Sequence, residues 1–310
     1  MSYIPQYSMR ELLEAGAHYG HKRNYWNPKM ARYIYGMRNG MHIVDLQQTV
    51  SLLNKALEVL KETASRNGRI LFVGTKKAAS EVVAEQASRC GQYYVNHRWL
   101  GGMLTNFSTI SASIKTLQNY EETLADEESG LNKKERLEID RKRLKLDNVL
   151  GGIRNMGGKP DLVFVIDTNQ EEIAIQEARK LNIPVIAIVD TNSNPDNIDY
   201  IIPGNDDARK SIEIFTRLAA DAILAGIQDG MLNSGMDVKV TSELKIREAA
   251  NSEMPSEAAM KAEKEEGSKA KAGAKKKAPA PAKKAAPKVE PKKKAEVVTK
   301  VSKKKETKKA

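Results

Sequence analysis

The stretch LVFVIDTNQEEIAIQEARKLNIPVIAIVDTN, residues 162–192, contains two apolar runs on either side of a segment with helical patterning. Neither run, LVFVI or VIAIV, alternates apolar with polar residues. This is typical of strands in a parallel sheet, where helices cover both faces. The segment from Gln170 to Leu181 is long enough for a crossover helix between two parallel strands. The stretch therefore predicts a β-α-β unit.

Similar apolar runs occur on both sides of this unit and alternate with helical patterns. This order predicts the α/β class: a doubly wound, mainly parallel five-stranded sheet flanked by helices, with right-handed crossovers. We expect the α/β domain to comprise residues 46–107 and 151–230. The further strands are predicted at residues 70–74, 92–95 and 200–202, and the further helices at residues 46–60, 77–89 and 207–225.

An insertion of about 65 residues separates the strand predicted to end at Val95 from the one that starts at Leu162, which is more than a crossover needs. Apolar residues recur at helical spacing on both sides of the turn DEESGLN, residues 126–132. We therefore predict a protruding antiparallel helical hairpin of coiled-coil type over residues 108–150. It is either a contact surface for a partner or a lid on its own domain. The recurring residues are Ile110, Ile114, Leu117 and Leu124, then Leu137 with Leu144 and Ile139 with Leu146.

The positive charge of the chain is concentrated at its end. The formal net charge is +11, but residues 261–310 hold 19 lysines and 6 glutamates, so residues 1–260 have a net charge of −2. Residues 251–310 are rich in Lys, Ala and Pro and contain no aromatic residue, which predicts a disordered basic tail. This tail either neutralises nucleic-acid phosphates or only keeps the protein in solution.

Residues 1–45 are expected to form an N-terminal helix followed by a basic, aromatic segment that faces RNA. Between His18 and Val44 there are five cations and no carboxylate, and Asn, Pro and Gly residues break any helical period. Cations neutralise phosphates and aromatic rings stack on unpaired bases. The alternative is that the rings belong to the core and the cations to a solvated face. The cations are Lys22, Arg23, Lys29, Arg32 and Arg38, and the rings are those of Tyr19, Tyr25, Trp26, Tyr33 and Tyr35.

The motifs of the common enzymes on α/β sheets are missing. ILFVGTKKAA has one glycine where a dinucleotide site needs three, and GGKP has a proline where a P-loop needs Ser or Thr. His18 and His21 lack the glutamate of a zinc hydrolase, and there is no GxSxG elbow. A single cysteine, Cys90, excludes an intramolecular disulfide, and the N-terminus lacks the apolar core of a signal peptide. We therefore expect a soluble intracellular protein that is not an enzyme.

Acidic residues follow three of the predicted strands. Asp167 and Asp190 end two strands in the related sequences VIDTN and IVDTN, and Asp206 and Asp207 follow the next one. The carboxyl ends of parallel strands meet at one edge of the sheet, so these carboxylates could bind a divalent cation together with His21. The alternative is that they cap the helices or turns that follow.

The chain resembles the bacterial small-subunit ribosomal protein S-two family over about residues 8–225. The resemblance implies a parallel α/β domain with a protruding hairpin and a non-catalytic role on the cytoplasmic ribosome, in which the protein binds small-subunit ribosomal RNA between head and body, contacts neighbouring proteins and helps to dock ribosomal protein S-one. It implies no required cofactor, no small-molecule substrate and no membrane. A free-standing RNA-binding protein derived from this family is the alternative. The matching stretches are LLEAGAHYGHKRNYWNPKMARYIYGMRNGMHIVDL, ILFVGTKKAA, YVNHRWLGGMLTN, LGGIRNMGGKPD, FVID, IPVIAIVDTNSNPD and IIPGNDDA.

The resemblance also implies site residues within these stretches. Cations would meet phosphates, Tyr25 and Trp26 would stack or pack against ribose, and polar residues on the NHRWLGGMLTN loop would donate hydrogen bonds. It suggests a divalent metal, zinc or magnesium, at His21, Asp190 and Asp207 near the S-one contact. The basic tail extends beyond the family pattern. The RNA-binding residues implied are Lys22, Arg23, Tyr25, Trp26, Asn27, Lys29, Arg32, Arg38, Lys76, Lys77, Asn96, Arg98, Trp99, Thr105, Asn106, Arg154 and Lys159.

Overall fold

A five-stranded, fully parallel sheet forms the centre of the fold. The computed structural model describes residues 5–126 and 131–233, so the predicted tail lies outside the described residues. The strand order in the sheet is β5-β4-β6-β7-β8, and the switch point of a doubly wound fold lies between β4 and β6. The predicted parallel sheet is confirmed. Its strands are β4 (Ile70–Val73), β5 (Tyr93–Val95), β6 (Leu162–Ile166), β7 (Val185–Val189) and β8 (Tyr200–Pro203).

Seven α-helices are present in the described part of the chain, and they connect or flank the strands. The predicted helix at residues 77–89 begins later than expected, because residues 76–79 form a turn in which the amides of Ala79 and Ser80 bond to the Lys76 carbonyl. None of the described helices is both long and apolar enough to cross a bilayer. The helices are α1 (Met9–Glu14), α2 (Leu46–Ser65), α3 (Ser80–Arg89), α4 (Phe107–Ala125), α5 (Lys133–Leu150), α6 (Glu172–Lys180) and α7 (Arg209–Asn233).

Apolar residues cover both faces of the sheet. In β4, Ile70 and Phe72 face one core cluster, with residues from α2, α3 and α7, while Leu71 and Val73 face the other, with residues from α4 and α6. All four side chains are fully buried. Burying a side chain of this size contributes roughly 1.5–3 kcal/mol. The apolar runs of the sequence therefore reflect burial on both faces.

Helices α4 and α5 contact each other along the insertion. Ile110 and Ile114 of α4 are buried in the same core cluster as Leu150 at the end of α5, and Leu117 of α4 is also buried. In contrast, Leu137 and Leu144 are 52% and 44% exposed. One of the two seven-residue series therefore faces outward, and the coiled-coil type and the domain limits remain predictions.

A small antiparallel sheet precedes the parallel one, in the basic, aromatic segment for which the sequence indicated only the absence of a helical period. Its strand order is β1-β3-β2, with a shifted register between Ile34 and Gly36. Short 3-10 turns join β1 to β2, and the buried Met30 and Tyr33 fix the second turn to the core. The strands are β1 (Tyr19–Lys22), β2 (Ile34–Arg38) and β3 (Met41–Val44), and the 3-10 turns are Arg23–Tyr25 and Pro28–Tyr33.

Candidate functional site

The small antiparallel sheet is attached to the carboxyl edge of the parallel sheet at Thr191, just after β7. The His21 amide donates to Thr191 Oγ1 at 2.8 Å, and the Asn27 amide donates to the Thr191 carbonyl at 2.7 Å. A Cβ at Gly20 would lie 2.6 Å from the Thr191 methyl group, so only glycine permits this approach. The N-terminal segment is therefore held in a defined position on the α/β domain.

Four of the five N-terminal cations are exposed and have no carboxylate partner among the described residues. Rings accompany them: Tyr25 is 69% and Tyr35 81% exposed. We call this set of side chains the N-terminal basic surface. Its positive charge is not neutralised by any ion pair with a described residue, which is the condition for attracting phosphates. It consists of Lys22, Arg23, Arg32, Arg38, Tyr25, Trp26 and Tyr35.

Two other residues of the same segment have internal roles. Lys29 forms an ion pair with Asp196, and its backbone amide donates a hydrogen bond to Asn27 Oδ1 at 3.0 Å. Tyr33 is only 7% exposed, and the guanidinium of Arg32 lies 4.7 Å from its ring centroid. Tyr33 is therefore a core residue, as the alternative interpretation of the segment predicted. Burial in the core does not explain the exposed rings of the same segment.

Lys76 lies inside a cluster of carboxylates at the carboxyl edge of the sheet. Its Nζ is 3.1 Å from Asp167 Oδ2, 3.0 Å from Asp206 Oδ1 and 2.5 Å from Asp207 Oδ1. Burial alone would lower the pKa of Lys76, but the surrounding carboxylates outweigh it and raise the pKa above its ordinary value. This ammonium group neutralises the protein's own charge, so we leave Lys76 out of the RNA contacts proposed below.

Asp206 is a buried carboxylate of this cluster, with 1% exposure. Its Oδ2 has no hydrogen-bond partner among the described residues. Burial, followed by repulsion from Asp190 and Asp167, raises the pKa of Asp206 to about 7 although Lys76 opposes this. The carboxylates at the carboxyl edge of the sheet therefore carry more negative charge than Lys76 alone can neutralise.

His21 joins the N-terminal sheet to this acidic edge. Its Nδ1 is 3.0 Å from Asp190 Oδ2, and its Nε2 is 3.4 Å from Asp207 Oδ2. The hydrogen bond to Asp190 and the nearby carboxylates raise the pKa of His21 although burial opposes this. One nitrogen and two carboxylate oxygens from His21, Asp190 and Asp207 lie within 4.8 Å of one another. This donor set suits a divalent metal such as zinc.

The capping alternative also has direct support at this edge. Asp167 Oδ1 accepts from the amides of Asn169 and Gln170 at 3.1 and 3.2 Å, at a backbone φ of +65°. Asp190 Oδ1 accepts from the amide and the hydroxyl of Thr191. Asp167 is therefore a turn residue, while Asp190 uses one oxygen for the turn and the other for His21.

A buried glutamate of α6, which the sequence did not single out, holds the NHRWLGGMLTN loop. Glu177 accepts from Trp99 Nε1 at 3.2 Å, from the Gly102 amide at 2.7 Å, and from the amides of Leu104 and Thr105 and the Thr105 hydroxyl at 3.0 Å. Burial alone would raise the pKa of Glu177, but these hydrogen bonds outweigh it and lower the pKa. Trp99 and Thr105 are therefore structural anchors.

The remaining residues that the sequence predicted to bind RNA also fall into two groups: those with partners inside the protein and those that are exposed. Arg154 pairs with Glu121 and Asp147 at 2.8 and 2.9 Å, so its charge is neutralised internally. Asn96 Nδ2 donates to the Ser80 carbonyl, and Asn106 Oδ1 accepts from the Thr109 hydroxyl. Of the cations predicted from the sequence outside the N-terminal segment, Lys77, Arg98 and Lys159 are exposed and form no ion pair with a described residue.

Comparison with known proteins supports the resemblance stated above. A family model described as "Ribosomal protein S2" matches residues 12–226. The chain belongs to the ribosomal protein S2 family. The matched range runs from α1 into α7 and includes the parallel sheet, the N-terminal basic surface and the acidic edge. Since the family consists of ribosomal proteins rather than enzymes, the prediction that this chain is not an enzyme is also confirmed.

Individual relatives share more than half of their aligned residues with this chain. "Small ribosomal subunit protein uS2" of Rhodospirillum centenum is 54% identical over 260 residues, which cover 84% of this chain and 98% of the relative. The protein of the same name from Phenylobacterium zucineum is 57% identical over 255 residues, 82% of this chain and 86% of the relative. That of Wolbachia pipientis wMel is 57% identical over 240 residues, 77% of this chain and 85% of the relative.

Proposed function

We propose that this protein is a structural component of the small ribosomal subunit that binds small-subunit ribosomal RNA, between head and body, through its N-terminal basic surface. The observation that carries the proposal is the contrast in charge pairing. In the described residues, four cations between Lys22 and Arg38 have no carboxylate partner, while Lys76 and Arg154 are paired internally. A surface with unneutralised cations gains free energy by releasing counterions from phosphates.

The aromatic side chains of this surface support RNA over another polyanion. Tyr25, Trp26 and Tyr35 are exposed aromatic residues, on which unpaired bases or ribose can pack. The ring centroid of Trp26 lies 5.2 Å from that of His42, so the indole ring packs against the imidazole ring. Thr191 fixes the segment on the α/β domain, so little conformational entropy is lost on binding.

The proposed RNA contacts are fewer than the sequence predicted. We retain the exposed cations and rings and omit those side chains whose charge or hydrogen bonds are used inside the protein. The retained residues are Lys22, Arg23, Tyr25, Trp26, Arg32, Arg38, Lys77, Arg98 and Lys159, together with Tyr35.

The acidic edge is proposed as the side that faces ribosomal protein S-one and other neighbouring small-subunit proteins. His21, Asp190 and Asp207 would hold a divalent metal there, zinc or magnesium. The unpartnered Asp206 oxygen and the excess of carboxylates over cations fit such an ion. When bound, it would supply positive charge that links β1 to the loops after β7 and β8. Metal analysis of the purified chain tests this: about one equivalent in the native protein should be lost in His21→Ala, and equal contents would refute it.

Sucrose-gradient sedimentation of a cell lysate tests the ribosomal assignment. The chain should occur in stoichiometric amounts with small subunits at moderate salt and be released in part at high salt, because phosphate contacts weaken with ionic strength. Its presence only at the top of the gradient would overturn the assignment.

The basic tail is proposed to strengthen the same attachment. Removal of residues 251–310 should then reduce the dependence of small-subunit binding on salt concentration, because fewer cations take part. An unchanged slope in a plot of log affinity against log salt concentration would refute a role in binding.

A further inference from the structure

A polar cavity lies where α5 ends beside the edge strand β5, away from the N-terminal basic surface. Its volume is about 420 Å³, within the range of roughly 300–1,000 Å³ that is typical of small-ligand sites. The short 3-10 turn Gly151–Ile153 forms one wall, and the segment after β5 forms the other. The polar side chains that line it are those of Asn96, His97, Asp147, Asn148, Arg154 and Asn155.

Three of these side chains have free hydrogen-bonding groups. Those of His97, Asn148 and Asn155 are exposed and form no hydrogen bond with other described residues. Asn96 donates its amide hydrogen to the Ser80 carbonyl and keeps its Oδ1 as an acceptor. Each asparagine offers a donor and an acceptor side by side, so the cavity is suited to a ligand with the same pairing.

The charged groups of the cavity are already paired with each other. Arg154 Nη2 lies 2.9 Å from Asp147 Oδ1 and 2.8 Å from Glu121 Oε1. No unpaired cation of the cavity is thus available for a phosphate, and the Asp147 carboxylate repels one. The ligand should therefore be a neutral, planar group that forms hydrogen bonds along one edge.

The backbone at Gly152 gives the cavity its shape. A Cβ at this residue would lie 2.1 Å from the Tyr94 carbonyl oxygen and 2.7 Å from the Tyr94 ring. The turn therefore packs directly against Tyr94, which is one of the residues that line the cavity. Aromatic residues together with hydrogen-bonding side chains are common where proteins bind unpaired bases.

We propose that this cavity binds a single unpaired base of ribosomal RNA, extruded from its strand and held by Asn148 and Asn155. Adenine matches best, because its neighbouring amino group and ring nitrogen pair with an asparagine amide in two hydrogen bonds. The proposal rests on the proposed function, since it requires that the protein is bound to the small subunit. It adds a base-reading contact to an attachment otherwise based on phosphates.

Chemical probing of assembled small subunits tests the proposal. Subunits are rebuilt with the native chain, with Asn148→Ala/Asn155→Ala, or with Asn119→Ala, which removes an exposed asparagine of α4 outside the cavity. Dimethyl sulfate and a carbodiimide then report the accessibility of every base. One base protected by the native chain and by Asn119→Ala should become at least threefold more reactive in the double variant.

The possible outcomes distinguish the failure of the base pocket from the failure of the proposed ribosomal function. If the double variant sediments with the subunit but no base changes in reactivity, the base pocket is refuted and the ribosomal function stands. If the native chain does not sediment with small subunits, both are refuted. A second measurement needs no variant: ultraviolet cross-linking of native subunits should join a base to the peptide containing Tyr94 and His97. Cross-links from this peptide to protein alone would overturn the proposal.

Discussion

The N-terminal basic surface and the acidic edge of the sheet are neighbours, yet they use lysine and arginine in opposite ways. On the surface, cations such as Lys22 and Arg38 are exposed with no carboxylate partner among the described residues. At the edge, Lys76 contacts three carboxylates and its charge is neutralised within the protein. A basic residue in an RNA-binding family therefore indicates an RNA contact only if its charge is left unpaired by the fold.

Replacement of the internal cation should have the largest effect on stability. Lys76→Met leaves Asp167, Asp206 and Asp207 without their shared partner, and removal of one partner from a buried ion pair costs about 3–5 kcal/mol. Urea unfolding of the two proteins measures this difference. The exposed neighbour provides the control, because Lys77→Met should change the free energy of unfolding by less than about 0.5 kcal/mol. Equal losses in the two variants would show that Lys76 is not an internal counterion.

Two tyrosines of the N-terminal segment extend the comparison to aromatic residues. Tyr33→Ala should reduce the free energy of unfolding by about 3 kcal/mol, because its ring is buried in the core. Tyr25→Ala should leave stability almost unchanged and instead weaken RNA binding by about 1–3 kcal/mol, the usual range for a stacked ring. Thermal unfolding and filter binding to small-subunit RNA measure the two effects. A loss of stability without a loss of RNA affinity in Tyr25→Ala would contradict the assignment.

Glu177 should have an intermediate effect that depends on pH. Glu177→Gln replaces one acceptor oxygen by a donor and should cost about 2–3 kcal/mol, as expected for hydrogen bonds to a charged group. Because the folded state lowers the pKa of Glu177, the native carboxylate contributes fully above the ordinary pKa of about 4.3 and less as the pH falls through the lower folded-state pKa.

The stability difference between the native protein and Glu177→Gln should therefore be constant from pH 6 to 8, assuming both remain folded, and decrease below about pH 4.3. Urea titrations at several pH values measure it. A difference that grows as the pH falls would contradict the lowered pKa.

The smallest change in stability, with a clear change in RNA binding, is expected on the N-terminal basic surface. The double variant Lys22→Gln/Arg38→Gln should unfold within about 0.5 kcal/mol of the native protein, since neither cation has an ion pair among the described residues. The slope of log affinity against log salt concentration should become shallower by about 1–2, because about one counterion is released per phosphate contact. Binding assays between 50 and 200 mM salt measure this slope. An unchanged slope would show that these cations do not meet phosphates.

The parallel sheet could be predicted because its signal is local. Runs such as LVFVI and VIAIV are apolar throughout since both faces of each strand are buried, and the strand bounds agree within one or two residues. The small N-terminal sheet could not be predicted, because its strands are only four or five residues long and are half exposed. The pairing of β2 with β3 is also interrupted by a shifted register at Gly36. Its position depends on Thr191, which is about 170 residues away in sequence.

The candidate site could be predicted in part. The exposed cations and rings follow from a segment without carboxylates, and the acidic edge follows from the strand ends. Glu177 could not be recognised, because in EARK on an amphipathic helix it resembles a solvent-facing residue, and its five donors come from a loop more than 70 residues earlier. Lys76 and Arg154 have ion-pair partners that the sequence alone did not indicate, because these partners are set by tertiary structure.

Ultraviolet cross-linking of purified small subunits, followed by mass spectrometry of the peptides joined to RNA, identifies the side chains of this protein that contact RNA. We expect the cross-links to concentrate on peptides containing Tyr25, Trp26 and Tyr35, and none to involve Lys76. Cross-links confined to the acidic edge around Lys76, with none between residues 22 and 38, would contradict it.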